Sequence, residues 1–229
     1  MMPVRAVCFD LFSTLVDVAL VPESVGRFTA DILGIDRKEW HDACFGSFHN
    51  IREPVDAFEN LLNIARSINP DISVELVMNA VTERQARFDY ALLNVESVVL
   101  ETLQAIRAKG LRLGLISNAS SSEVQAWFGS PLADLFDVVS FSFECGSIKP
   151  ESRIYTGVLE KLGLQAEQCL FVGDGSSNEH FGAYDVGMKP VLISNYLDQK
   201  EFESRLEKYS AVLEGSVRDI DELINIYLK

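Results

Sequence analysis

The chain has 229 residues, 48% apolar and 24% charged, the balance of a globular protein with a hydrophobic core. Its 20 Lys and Arg against 34 Asp and Glu leave a formal charge of 20 − 34 = −14. That charge repels phosphate backbones and anionic lipid surfaces, so neither nucleic acid nor a membrane is expected as a partner, and an anionic ligand would need local cations, backbone N–H groups or a metal ion. No run of about 18 apolar residues occurs, so no membrane-spanning helix is expected.

In chain order, the first apolar run is 4–9, continuous rather than alternating, as in a strand covered on both faces. Asp10 and Asp17 interrupt the apolar N-terminal stretch, unlike a secretory signal. Residues 17–92 read as nearly all helix. Leu61, Ile64, Ala65 and Ile68 follow the i, i+3, i+4, i+7 pattern, Val74, Val77, Met78 and Val81 repeat it, and Asn69-Pro70-Asp71 is the turn between. A helix over 97–109 stops at Gly110, and 111–117 is a second strand. A helix is expected to begin near Ser121, and Val138–Phe141 is a weaker strand. Residues 151–162 form a helix after Pro150, with Ile154, Val158 and Leu162 on one face. Cys169–Gly173 and the weaker 191–194 complete the strands. Ser216 with Asp219 then opens a last helix striped by Ile220, Leu223, Ile224 and Tyr227. The alternation predicts an α/β fold: a doubly wound, Rossmann-like parallel sheet over 1–16 and 93–229, with an all-helical insertion at 17–92. The cysteines Cys8, Cys44, Cys145 and Cys169 form no Cys-x-x-Cys pair. Cys8 and Cys169 sit in apolar runs and read as reduced core residues, which fits a cytoplasmic setting.

Open parallel sheets bind ligands outside the carboxyl ends of their strands. There the sequence offers Asp10 after the first strand, Ser117 and Asn118 after the second, Lys149 about eight residues past the third, and Asp174 with Glu179 after the fourth. Three converging acids repel one another, so a divalent cation, Mg²⁺, is expected among Asp10, Asp174 and Glu179. One carboxylate can serve as a nucleophile, Lys149 would offset its repulsion toward an incoming anion, and Ser117 with the Asn118 N–H could hold an anionic oxygen near the helix expected at Ser121. Arg27, Lys38 and Arg52 are the insertion's candidates for gripping an anionic substrate. Trp40, Phe45, Phe48 and Ile51 read either as a buried helix face or as the wall of an apolar pocket. His41, His49 and His180 lack metal-ligand spacing, and Gly173-x-Gly175 lacks the third glycine of a dinucleotide loop. No feature of the sequence specifies an oligomeric state.

These strand ends resemble the four motifs of the haloacid dehalogenase (HAD) superfamily of hydrolases and phosphatases. Phe9-Asp10-Leu11-Phe12-Ser13-Thr14-Leu15 is similar to the first, Leu115-Ile116-Ser117-Asn118 to the second, Lys149-Pro150 to the third, and Val172-Gly173-Asp174 through Glu179 to the fourth. The resemblance implies Asp10 as nucleophile, Ser117 and Asn118 as substrate-binding groups, and Lys149 as the residue steadying nucleophile and substrate. It further implies Mg²⁺ held by Asp10, the carbonyl of Phe12, Asp174 and Glu179, and a helical cap formed by the insertion. One position departs from the phosphatase pattern. Two residues after the nucleophile, where the family's phosphatases carry an acid/base Asp, this chain has Phe12, and loss of such a group typically costs about 10²–10⁴ in rate. An aromatic residue there is similar to the metal-independent 2-haloacid dehalogenases, whereas Asp174 is phosphatase-like. The expected function is a Mg²⁺-dependent phosphohydrolase acting on a small anionic substrate. A dehalogenase-like carbon-centre hydrolase and a catalytically weak binding or regulatory protein are the alternatives.

Overall fold

The structure is a computed structural model that describes residues 3–228. The elements in chain order are β1 (Ala6–Phe9), α1 (Thr29–Leu33), α2 (Arg37–Cys44), α3 (Ala57–Ile68), α4 (Val74–Leu93), α5 (Ser97–Ala108), β2 (Arg112–Ser117), β3 (Val138–Phe141), α6 (Ser142–Cys145), α7 (Ser152–Leu162), β4 (Cys169–Gly173), α8 (Glu179–Asp185), β5 (Lys189–Ile193), α9 (Gln199–Tyr209), β6 (Gly215–Val217) and α10 (Glu222–Tyr227). The six strands are all parallel, in the order β3-β2-β1-β4-β5-β6. The chain order reverses between β1 and β4, which is where such sheets open a ligand crevice. Phe9, the last residue of β1, lies opposite Leu115 of β2 and Val172 of β4, so the segments following these three strands leave the sheet side by side.

Every residue of β1 is fully buried, and alternation sends them to opposite faces. Val7 and Phe9 join a cluster with Leu103, Leu113 and Val191, while Ala6 and Cys8 join Ile154, Tyr155 and Phe171. Gly114 in β2 permits this packing, since a Cβ there would lie 2.8 Å from Cys8 Sγ and 3.1 Å from Val158 Cγ1. All four cysteines are free, and no helix among the described residues is long and apolar enough to cross a membrane.

Helices α1 to α4 carry their own apolar cluster, built from Ile32, Leu33, Trp40, Leu61, Ile64, Ala65, Val77 and Ala80. Asp36 and Asp56 cap α2 and α3 by accepting N–H groups of the first turn. In α4 the buried stripe is Val77, Ala80, Arg87, Phe88, Ala91 and Leu92, whereas Val74 and Met78 are 46% and 60% exposed. Val77 and the half-buried Val81, which packs against the same cluster, follow the expected face and the other two do not.

Three further expectations fail. Residues 17–92 are not nearly all helix, since 21–28 and 45–56 run as turns and loops between the helices. Residues 121–126 form successive turns, not a helix: Gln125 and Trp127 donate to carbonyls three residues back, and a 3₁₀ turn Trp127–Gly129 follows. The Ser120 and Ser122 hydroxyls bond each other at 3.2 Å, the Ser121 hydroxyl donates to Val55 O at 3.2 Å, and Ser130-Pro131 ends the segment. No helix N-terminus therefore faces the strand ends from Ser121. Ser216 likewise opens no helix. It pairs with Leu192 in β6, extending the sheet past β5, and α10 begins only at Glu222.

Candidate active site

Asp10 leaves β1 with its N–H donated to Val172 O at 2.9 Å, so the first carboxylate is tied to β4. The chain then turns tightly. Ser13 adopts φ 57° and donates its N–H to Val16 O at 2.7 Å, and the Thr14 hydroxyl donates to Asp10 Oδ2 at 3.4 Å. Lys149 arrives from the loop after α6. The side chain of Asn118 fixes it there, accepting the Lys149 N–H at 2.7 Å and donating to the Lys149 carbonyl at 3.3 Å. The Lys149 ammonium donates to Asp10 Oδ1 and, at 2.6 Å, to Glu179 Oε2. Glu179 Oε1 accepts the Gly175 N–H at 2.8 Å. Gly173 makes room for that carboxylate, since a Cβ would fall 2.2 Å from Glu179 Oε1.

Asp174 completes the cluster. One of its carboxylate oxygens accepts the Ser176 N–H at 3.0 Å, and the other accepts Nη1 of Arg205, which also donates to the Asp174 carbonyl at 2.7 Å. Asp10, Asp174 and Glu179 are 4%, 2% and 0% exposed and offer oxygens within 4.8 Å of one another. Three carboxylates against Lys149 and Arg205 leave 3 − 2 = 1 formal negative charge in a dry centre. Burial pushes the carboxyl groups of Asp10 and Glu179 up; Lys149 opposes this, and the neighbouring acids reinforce it. Burial by itself would lower Lys149, but Asp10 and Glu179 outweigh it and hold the ammonium above its ordinary value. An all-oxygen donor set of this burial suits a hard divalent cation. The Ser117 hydroxyl, at the end of β2, is buried with no hydrogen-bond partner, a polar group open to a ligand.

Asp10, Asp174 and Glu179 thus come together with Lys149 as the sequence suggests, and Asn118 fixes Lys149 through its side chain. Beside them opens a cavity of about 1480 Å³, lined on the sheet side by Asp10, Phe12, Asn118, Lys149 and Asp174. On the helical side Trp40, Phe45, Phe48 and Ile51 line it, with Phe45 and Phe48 60% and 57% exposed. Phe12 lies edge-on against Phe88 of α4 at 5.2 Å. Arg27 and Lys38 do not line the cavity; they pair with Glu83 and Asp42. Arg52 does line it, but pairs with Glu151.

Two features escaped the sequence. Arg205 lies in an ordinary amphipathic helix, and only the docking of α9 beside Gly175 brings it to Asp174. Glu123 is buried, held by Arg84 at 2.5 Å and by the Ser120 N–H at 2.8 Å, with His49 at 3.4 Å, and so joins the insertion to the loop after β2. Arg84 and His49 lie 39 and 74 residues from Glu123, too far for any local pattern to reveal.

The family model for haloacid dehalogenase-like hydrolases matches residues 4–182. The chain belongs to that family. A phosphatase of Mycobacterium tuberculosis is 28% identical over 225 residues, 94% of this chain and 99% of that protein. A glyceraldehyde 3-phosphate phosphatase of Methanothermobacter thermautotrophicus is 30% identical over 129 residues, and the chain spans only about half of that relative, 55% of each. Among solved structures, a dehalogenase superposes with TM-score 0.71 at 21% identity, covering 100% of this chain and 99% of that one. A HAD phosphatase from Thermococcus onnurineus does so with TM-score 0.61 at 24% identity, covering 97% of each. At these identities the superpositions establish the fold, and the family match makes the chain a HAD-like hydrolase. Helix α9, with Arg205, lies outside the matched segment.

Proposed function

We propose that this HAD-like hydrolase is a Mg²⁺-dependent phosphohydrolase acting on a small phosphorylated metabolite through a covalent intermediate on Asp10. The observation that carries the reading is the closed cluster of Asp10, Asp174 and Glu179 around Lys149. Buried acids are costly to retain, and nothing in the packing of the sheet calls for three of them. Similarity to proteins named as phosphatases supports the same reading.

In this mechanism a carboxylate oxygen of Asp10 attacks the phosphorus, the bond to the leaving oxygen breaks, and an aspartyl phosphate forms. Water then attacks the phosphorus, releasing phosphate and restoring Asp10. Lys149 holds Asp10 in place and lowers its repulsion toward the anion. The Ser117 hydroxyl and the Asn118 N–H bind the phosphoryl oxygens. Mg²⁺ bound by Asp10, the Phe12 carbonyl, Asp174 and Glu179 would neutralise phosphoryl charge. Residues 17–92 act as a cap over the core of 1–16 and 93–229, and a cytoplasmic setting fits the four free cysteines. Phe12 can neither protonate a leaving group nor activate water. The favoured substrates are therefore those whose leaving group departs unprotonated, such as acyl phosphates.

The test is phosphate release from acetyl phosphate and p-nitrophenyl phosphate with Mg²⁺ or EDTA, beside chloride release from L-2-chloropropionate. Phosphate release that needs Mg²⁺, falls to background in Asp10→Asn and favours acetyl phosphate is the expected result. Phe12 also favours a second reading, a carbon-centre hydrolase, and EDTA-resistant chloride release would establish that one instead. Absence of turnover on all three substrates would point to a binding protein.

A further inference from the structure

We infer that Arg205 is a built-in counter-cation of Asp174 that a divalent metal must displace, so that the chain holds its metal more weakly than its carboxylates alone would. The inference rests on the metal-dependent reading of the site.

The contact is constructed rather than incidental. The stem of Arg205 packs against Gly175, whose φ of 90° suits glycine, and a Cβ there would lie 3.4 Å from Arg205 Cδ and 3.0 Å from Tyr209 Cε2. The guanidinium then reaches both the carbonyl and the carboxylate of Asp174. The pair is not needed to anchor α9. One turn on, the Tyr209 hydroxyl donates to Gly175 O at 2.7 Å, its ring lies 5.0 Å from His180, and Phe202 is buried on the same helix.

The position of the pair decides its consequence. Asp174 is one of three acids whose oxygens lie within 4.8 Å, and both of its carboxylate oxygens already accept protein donors. A guanidinium and a divalent ion at one carboxylate repel each other strongly in so dry a place. The Arg205 side chain is 25% exposed and lines the large cavity, so it has room to leave. Apparent metal affinity is then the intrinsic affinity scaled by the fraction of molecules in which Asp174 is released.

Removing any positive charge near the site would also favour a cation, so the test needs a charge control. Lys208, three residues along α9, lines the same cavity and makes no ion pair among the described residues. Mn²⁺ is the probe, its free ion counted by electron paramagnetic resonance against the full chain, with Arg205→Gln, Arg205→Lys, Lys208→Gln and Asp174→Asn. Arg205→Gln should bind Mn²⁺ about tenfold more tightly than the unaltered chain, as expected for release of a partly exposed ion pair. Lys208→Gln should shift the affinity less than about twofold, Arg205→Lys should fall between, and Asp174→Asn should lose binding. In thermal unfolding, metal-free Arg205→Gln should melt below the unaltered chain and gain more from Mn²⁺. Equal or weaker binding by Arg205→Gln, or an equal shift in Lys208→Gln, overturns the inference. If Asp174→Asn still loses Mn²⁺ in that case, the metal-dependent reading stands alone. If no protein binds Mn²⁺ and phosphate release resists EDTA, both fall.

Discussion

In the helical insertion, Lys38 meets Asp42 at 2.5 Å with 84% and 58% of the two side chains exposed. At the strand ends, Lys149 meets Glu179 at 2.6 Å with 2% and 0% exposed. The geometry is nearly the same and the energetics are opposite. Water and salt screen the first pair, and each partner is content alone. The second has given up its hydration, so each charge depends on the others. Well-packed apolar residues would serve stability as well as a buried ion cluster does. What the strand-end cluster gains over such packing is chemistry, whereas Lys38–Asp42 dresses a surface.

The largest effect is expected when one charge is taken from the buried cluster. Lys149→Met leaves Asp10 and Glu179 facing each other without their cation, and removing one partner of such a pair typically costs about 3–5 kcal/mol. Urea unfolding in EDTA at alkaline pH should show a loss of that order. The sign of its pH dependence follows from the carboxyl groups. Burial first, then the neighbouring acids, raises Glu179 to about 8 from its ordinary 4.5, and Asp10 also rises. Without Lys149 both rise further. The folded variant then binds protons that the unfolded chain has released, so its stability should fall as pH increases from 4.5 upward. The loss should therefore be smaller at pH 5 than at pH 8, and a pH-independent loss would mean that the cluster is hydrated after all.

Legibility in the sequence follows the same division between buried and exposed. Strands were legible because a buried parallel strand is a continuous apolar run: β3 and β4 match the expected spans residue for residue, and β2 is one residue shorter. The acids and Lys149 were legible because polar residues directly after such runs have no place in a core. The three-residue β6 carries too short a run, and Ser216 offered a false capping signal. At Ser121 the hydroxyl is drawn instead to Val55 O in the insertion at 3.2 Å, a tertiary contact that no local pattern announces. Lys38–Asp42 is an i, i+4 surface pair and could be read from spacing alone. Arg52–Glu151 and Arg205–Asp174 join residues 99 and 31 positions apart, and only tertiary packing makes them partners.

His180 is the neutral counterpart of the buried ions. It is fully buried beside Glu179, its ring is edge-on to Phe171 and Tyr209, and neither ring nitrogen makes a sound hydrogen bond. Burial pushes its pKa down to about 3 from the ordinary 6.5, with Lys149 opposing protonation and Asp174 favouring it. The native ring is neutral where the unfolded one is charged, so stability is full above 6.5 and declines as pH falls toward 3, by up to about 1.4 kcal/mol per pH unit. His180→Phe keeps the ring and removes both unpaired nitrogens. It should unfold within about 1 kcal/mol of the unaltered chain at pH 8 and be the more stable of the two at pH 4.5. Parallel stability curves for the two proteins between those values would show that the site is wetter than its burial implies.

The smallest effect is expected at the exposed end of the comparison. Lys38 is a cation of the insertion that could have reached an anionic substrate, yet it does not line the cavity, and its hydrogen bond to Asp42 holds its pKa above the ordinary value. At about 0.15 M salt the Debye length is about 8 Å, so a fully hydrated lysine acts only on its immediate neighbour. Lys38→Gln should leave the urea midpoint unresolved from that of the unaltered chain, and kcat/KM for acetyl phosphate should change by less than about twofold. A larger fall in kcat/KM with an unmoved midpoint would mean that α2 swings its charged face over Asp10 during turnover. The insertion would then belong to the site's electrostatics, and the contrast between buried chemistry and surface dressing would hold for the resting protein alone.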